Sequence, residues 1–218
     1  MIKHVKQLAL IGLLLPLALS AYAQPERYVA GTHYIELNTP VRTANPDKIE
    51  VIEAFWYGCG HCFRFEPVLN NWVSQLPDDV EFEHFPAQWN DLMKIHAQIF
   101  YTAQALGVEP VIHEPVFNAI NVEGNRLQNE RQIGALFAKY GVPEEQFKTA
   151  FNSFSVRTKV NQGQKKMQDY QIRSTPNMIV NGKYLIVTGE AVPSQEEMLN
   201  VVDFLISKER MAKSTPSG

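Results

Sequence analysis

Cysteine is scarce in this 218-residue chain: Cys59 and Cys62 are the only two. With no third cysteine and no pair of histidines three to five residues apart, the usual sequence patterns of a structural zinc site are missing. Sustained apolar runs are missing beyond the N-terminal segment, so no later stretch approaches the ~20 residues that cross a bilayer. An excess of basic charge is missing as well. Lys and Arg number 20 against 23 Asp and Glu, a formal net charge of −3. That balance argues against nucleic acid as a partner, and no basic run is long enough to mark a lipid surface. No internal repeat is evident.

The N-terminus reads as a secretory signal over residues 1–23. Lys3 and Lys6 make a basic start, Leu8 to Leu19 an apolar core, and Ala21-Tyr22-Ala23 a small-x-small cleavage site. The apolar run is short for a membrane anchor and contains Pro16. The mature chain is expected to begin at Gln24, in an oxidising space outside the cytoplasm where a dithiol can be kept as a disulfide. Loss of the leader removes two lysines and no acid, so the net charge moves from −3 to −5. The remaining 195 residues, 218 less 23, suffice for one domain or a domain with an insertion.

Cys59-Gly60-His61-Cys62 follows the apolar run Val51 to Tyr57 and precedes a helical pattern. Two sulfurs at this spacing can close a small disulfide ring, while the free amides and positive end of the helix stabilise a thiolate at the first cysteine. Cys59 is therefore expected as the nucleophile and Cys62 as the buried partner. A purely structural staple would close too short a loop to remove much unfolded-state entropy. His113-Glu114 resembles the start of a metalloprotease motif, but Pro115 argues against the helix that motif needs.

Strands are expected over 28–37, 49–57 and 80–85, and a helix from Gly60 to Gln75 with Pro67 inside it. From Trp89 to Tyr170 strand alternation disappears. Helices are expected there over 91–106, 129–140, 144–151 and 156–170, with turns at Gly107, Pro110, Pro115 and Gly124. Asn181-Gly182 reads as a tight turn between strands 177–180 and 184–188, before a last helix to Ile206 and a disordered tail over 208–218. The order predicts an α/β domain over 24–88 and 171–207 interrupted by a helical insertion over 89–170.

The strand leading into the CxxC, Pro67 five residues beyond Cys62, the helical block, and Ser174-Thr175-Pro176 before the final hairpin together resemble the thioredoxin superfamily. Within it the likeness is to the DsbA family of periplasmic disulfide oxidoreductases. It covers essentially the whole mature chain and implies a thioredoxin-like fold with an inserted all-helical domain. It also implies a cis-proline at Pro176 against the active site, and a buried acid beneath it at Glu53, where apolar neighbours favour burial. Gly60-His61 would tune the thiolate, the His61 imidazolium favouring the anion. This dipeptide is that of protein disulfide isomerase, whereas familiar DsbA proteins carry Pro-His; Thr175 stands where many have Val.

The resulting expectation is an enzyme that donates its disulfide to unfolded secreted proteins. Clients would pair as extended strands with the backbone at Thr175. The redox centre is the disulfide, so no further cofactor and no metal are implied. A membrane quinone reductase of DsbB type would reoxidise a monomeric enzyme in the periplasm. A disulfide isomerase or reductase of the same superfamily is the alternative, although no segment for an isomerase's dimerisation domain is seen. A peptide-binding chaperone with incidental cysteines is the remaining one.

Overall fold

The structure, a computed structural model, describes residues 26–214; the expected leader and its cleavage site lie outside them. β2 (Ile49–Phe55) is buried along its whole length because it is the inner strand of a mixed five-stranded sheet. It pairs in parallel with β3 (Val80–Pro86), to which α1 (Gly60–Val73) crosses over, and antiparallel with β4 (Asn177–Val180). β5 (Tyr184–Val187) follows β4, and β1 (Ile35–Glu36) closes that edge, giving the order β1-β5-β4-β2-β3.

Alternation along β2 sends its side chains to opposite faces of the sheet. Val51 packs with Phe65 and Leu69 of α1 and with Val202 and Leu205 of α7 (Gln195–Ser214). Ile52 and Ala54 instead face Met93 of α2 (Asp91–Ala105) and Met167 of α6 (Phe154–Asp169). Between β3 and β4 the chain is helical throughout: α2, then α3 (Glu109–Asn121), α4 (Glu130–Lys139), α5 (Glu144–Phe151) and α6. These helices share a core of Phe100, Ile112, Phe117, Phe137 and Phe147, which also takes in Phe55, Tyr57 and Cys62. The CxxC therefore sits at the seam between the sheet domain and the helical insertion.

Three expectations fail. The strand over 28–37 is reduced to Ile35–Glu36, because Gly31 (φ 78°) folds the chain into a turn closed by Gly31 N–H to the Tyr34 carbonyl at 2.8 Å. That turn buries Tyr28 and Tyr34 in the same core, which mimics strand alternation in the sequence. α3 occupies a segment read as turns. Pro110 stands in its first turn, where no amide donor is needed, and Pro115 deprives only the carbonyl of Val111, a residue 58% exposed and open to water. The segment 208–214 is helix rather than flexible tail. Glu209 is buried beneath Lys183 (2.7 Å) and the Tyr184 hydroxyl (3.0 Å), Arg210 clasps Asp79 at 2.5 and 2.8 Å, and Lys213 caps the carbonyls of Pro46 and Lys48. Asn181 and Gly182 both take positive φ, 50° and 63°, and the Lys183 amide donates to the Val180 carbonyl at 3.0 Å, the type I′ geometry expected of Asn-Gly.

Candidate active site

After β2 the chain turns at Gly58, where a Cβ would stand 2.3 Å from the Trp56 ring, so only glycine fits. The Cys59 amide donates back to the Trp56 carbonyl at 2.8 Å. Cys59 is thereby delivered, extended at φ −90° and ψ 108°, as the N-cap of α1. Its Sγ takes the place of the usual capping oxygen and accepts from the Cys62 amide at 3.4 Å. The positive end of the helix dipole and free amides converge on one sulfur.

The two sulfurs consequently differ. The Cys59 thiol is lowered to about 5, chiefly by a hydrogen bond from the Cys62 side chain. Partial burial opposes this, and the Thr175 side chain and the amides of Cys62 and His61 reinforce it. Cys62 is fully buried, and burial, the bond it gives Cys59 and the charge of Glu53 all push its thiol up. Both cysteines are free thiols, Cys59 partly exposed.

Thr175 and Pro176 lie against this cap. The Cys59 Sγ stands 3.5 Å from the Thr175 carbonyl, and the Thr175–Pro176 peptide bond is cis. Gly60 forms the first residue of α1. The His61 ring is exposed and accepts from Arg64 at its Nδ1, 3.1 Å away, so residue 61 acts on Cys59 through its backbone amide. Its carbonyl accepts from Gln195 at 2.7 Å, which ties α7 to the first turn of α1.

Glu53 lies below, with no exposure at all, and its β-register partner is His84. The His84 Nδ1 stands 2.9 Å from Glu53 Oε2, while Oε1 has no hydrogen-bond partner among the described residues. Burial holds the Glu53 carboxyl well above the ordinary range, and the nearby charge of Glu66 raises it further. Beyond His84 lie Glu66 of α1 and His113 of α3, with Tyr57 donating or accepting at His113 Nδ1, 2.9 Å away. None of these except Glu53 was expected at the site. The one sequence signal was spacing: Glu66 is four residues past Cys62, on the same face of the helix.

A DSBA-like thioredoxin domain model matches residues 84–199. The thiol:disulfide interchange protein DsbA of Azotobacter vinelandii is 43% identical over 183 residues, covering 84% of this chain and 85% of the relative. That of Pseudomonas aeruginosa is 41% identical, covering 87% and 90%. The chain belongs to the DsbA family of thiol:disulfide interchange proteins. A crystal structure of Pseudomonas aeruginosa DsbA superposes with a TM-score of 0.82 at 40% identity, covering 86% of this chain and 97% of that one. The thioredoxin-like fold with its helical insertion is thus shared across the family. The chain is an oxidoreductase that exchanges disulfides with substrate proteins through its own thiols.

Proposed function

We propose that the protein works as a disulfide donor to newly secreted, unfolded proteins in the periplasm, with Cys59 as the attacked and departing sulfur. The carrying observation is the asymmetry of the pair: Cys59 lowered to about 5 and Cys62 raised. A client thiolate attacks Cys59 Sγ of the disulfide, and Cys62 leaves and takes up a proton. Because Cys62 holds that proton, it is a poor nucleophile and does not attack back on the mixed disulfide. A second client thiolate then attacks the client's own sulfur and expels Cys59, a good leaving group because its thiol is acidic. One client disulfide forms and the enzyme gains two electrons.

Thr175 and Pro176 are assigned to client docking, where an extended chain would meet the backbone at residue 175 beside Cys59. The groove of about 650 Å³ between α1 and α3, lined by Phe63, Pro67 and Phe117, is assigned to apolar client side chains. Gly60 and His61 tune Cys59 through the amides of the first turn, and any charge on Glu53 tunes Cys62. In this reading a monomer is reoxidised by a membrane quinone reductase of DsbB type.

Mixing the oxidised protein with a reduced, unfolded protein of known thiol count tests this. Loss of client thiols should match formation of enzyme thiols one for one, and Cys59→Ser should abolish both. Client binding without thiol loss would move the reading to a chaperone.

A further inference from the structure

The geometry points to a divalent-cation site, suited to Zn²⁺, formed by Glu66, His84 and His113 behind the dithiol. One donor atom from each residue lies within 4.8 Å of the other two. Glu66 Oε1 and His113 Nε2 already stand 3.5 Å apart. Donors held at about 2.0–2.1 Å around a tetrahedral zinc are themselves roughly 3.3 Å apart, so this edge is near its bound length.

The second observation is what the remaining atoms of these side chains do. Each has its other polar atom occupied: Glu66 Oε2 accepts from Asn70 at 3.4 Å, His84 Nδ1 faces Glu53 Oε2 at 2.9 Å, and His113 Nδ1 faces the Tyr57 hydroxyl at 2.9 Å. Such outer partners orient imidazole and carboxylate ligands, and with each Nδ1 donating outward the Nε2 is left free to ligate. The inner atoms are the ones left over. Glu66 Oε1 and His113 Nε2 are fully buried atoms with no hydrogen-bond partner among the described residues, on residues only 5% and 7% exposed. The two atoms face each other at 3.5 Å as an ion pair without hydrogen-bond geometry, and a cation between them would supply the bonds that this contact lacks.

The site has an entrance. Glu66, His84 and His113 line one cavity of about 420 Å³ together with Glu109 and Glu114. Two imidazoles and a carboxylate with room for water make the donor set of an open zinc site, and hard-ion sites for Ca²⁺ or Mg²⁺ would need more oxygen. Glu109 Oε1, 3.6 Å from His113 Nδ1, adds negative charge at the rim.

The test uses the full mature chain without an affinity tag, oxidised so that Cys59 and Cys62 cannot ligate, and freed of metal with a chelator. Titration with Co²⁺ should give visible d–d absorption at one equivalent, with no thiolate charge-transfer band. Zn²⁺ should displace the Co²⁺. Glu66→Gln with His113→Gln should weaken Zn²⁺ binding at least 100-fold, and Asn70→Ala should weaken it by about 10-fold or more. Should the double variant fail to fold, the unmodified oxidised protein decides. Co²⁺ should broaden the imidazole resonances of His84 and His113 most strongly and spare that of His33. Binding only to the reduced protein, broadening strongest at another histidine, or no uptake by the oxidised protein would each overturn the site.

Discussion

The acidity of Cys59 makes the stability gap between reduced and oxidised protein depend on pH, and its size follows from the site. In the unfolded chain a cysteine titrates near 8.5, whereas folded Cys59 titrates at about 5. Its folded-state value is depressed, so its stabilisation is fully present above the unfolded value and is lost as pH falls through about 5. At pH 7 the folded thiolate is two pH units above its midpoint while the unfolded thiol is still protonated, a gain of about 2.7 kcal/mol. Partial exposure of Cys59 screens this to about 2 kcal/mol. Cys62, pushed up by burial, stays protonated in both states below pH 8 and adds nothing.

The oxidised form has no thiol to titrate, but its ring constrains the unfolded chain by about 2 kcal/mol, independent of pH. The reduced protein should therefore be the less stable at pH 4.5, reach parity near pH 7, and be the more stable at pH 8. Denaturant unfolding of both forms across that range measures the gap directly. The reduction potential should follow the same linkage, falling by about 59 mV per pH unit below pH 5 and about 30 mV above it. A gap that stays constant from pH 4.5 to 8 would refute the assignment of a stabilised thiolate to Cys59.

Alkylation of the reduced protein should modify Cys59 alone, with a rate that titrates near pH 5, and modification of Cys62 first would reverse the roles. Thr175→Val removes a side-chain hydrogen bond to the thiolate and should raise the Cys59 midpoint by about one pH unit, read from thiolate absorbance, with the fold retained. No rise would show that the hydroxyl plays no part. Gly182→Ala would place a Cβ 2.0 Å from the Val41 carbonyl oxygen at a φ of +63° and should cost about 2 kcal/mol or more, seen as a lower Tm. An unchanged Tm would mean that the 38–44 segment moves freely away from the hairpin.

Features written locally in the chain were legible from it. The continuous apolar run of β2, the three- and four-residue steps of α1 and the Asn181-Gly182 turn each depend on residues a few positions apart. Where a local rule has a remote exception, the sequence misled. Pro110 and Pro115 read as helix breakers, yet one falls in the first turn of α3 and the other faces its missing bond towards solvent. The polar residues after Lys208 read as a loose tail because their partners, Asp79, Pro46 and Lys183, lie on distant elements. The buried cluster beneath the dithiol escaped for the same reason. Glu53 and Glu66 come from β2 and α1, His84 from β3 and His113 from the insertion, and only the β2–β3 register and the α1–α3 packing bring them together.

The asymmetry of the dithiol has two separate physical origins, and they lie in different parts of the chain. The thioredoxin-like portion lowers Cys59: a strand end, a turn at Gly58 and a helix start direct amides at one sulfur. That arrangement places the second sulfur in the first turn of the same helix. Cys62 is sealed among Phe55, Tyr57 and the aromatic core that α2 and α3 supply, and desolvation is the largest cause of its raised thiol. A low first sulfur makes a good leaving group, whereas a high second sulfur prevents the attack that would reverse the transfer. The helical insertion thus contributes to the proposed direction of the chemistry by excluding water from Cys62.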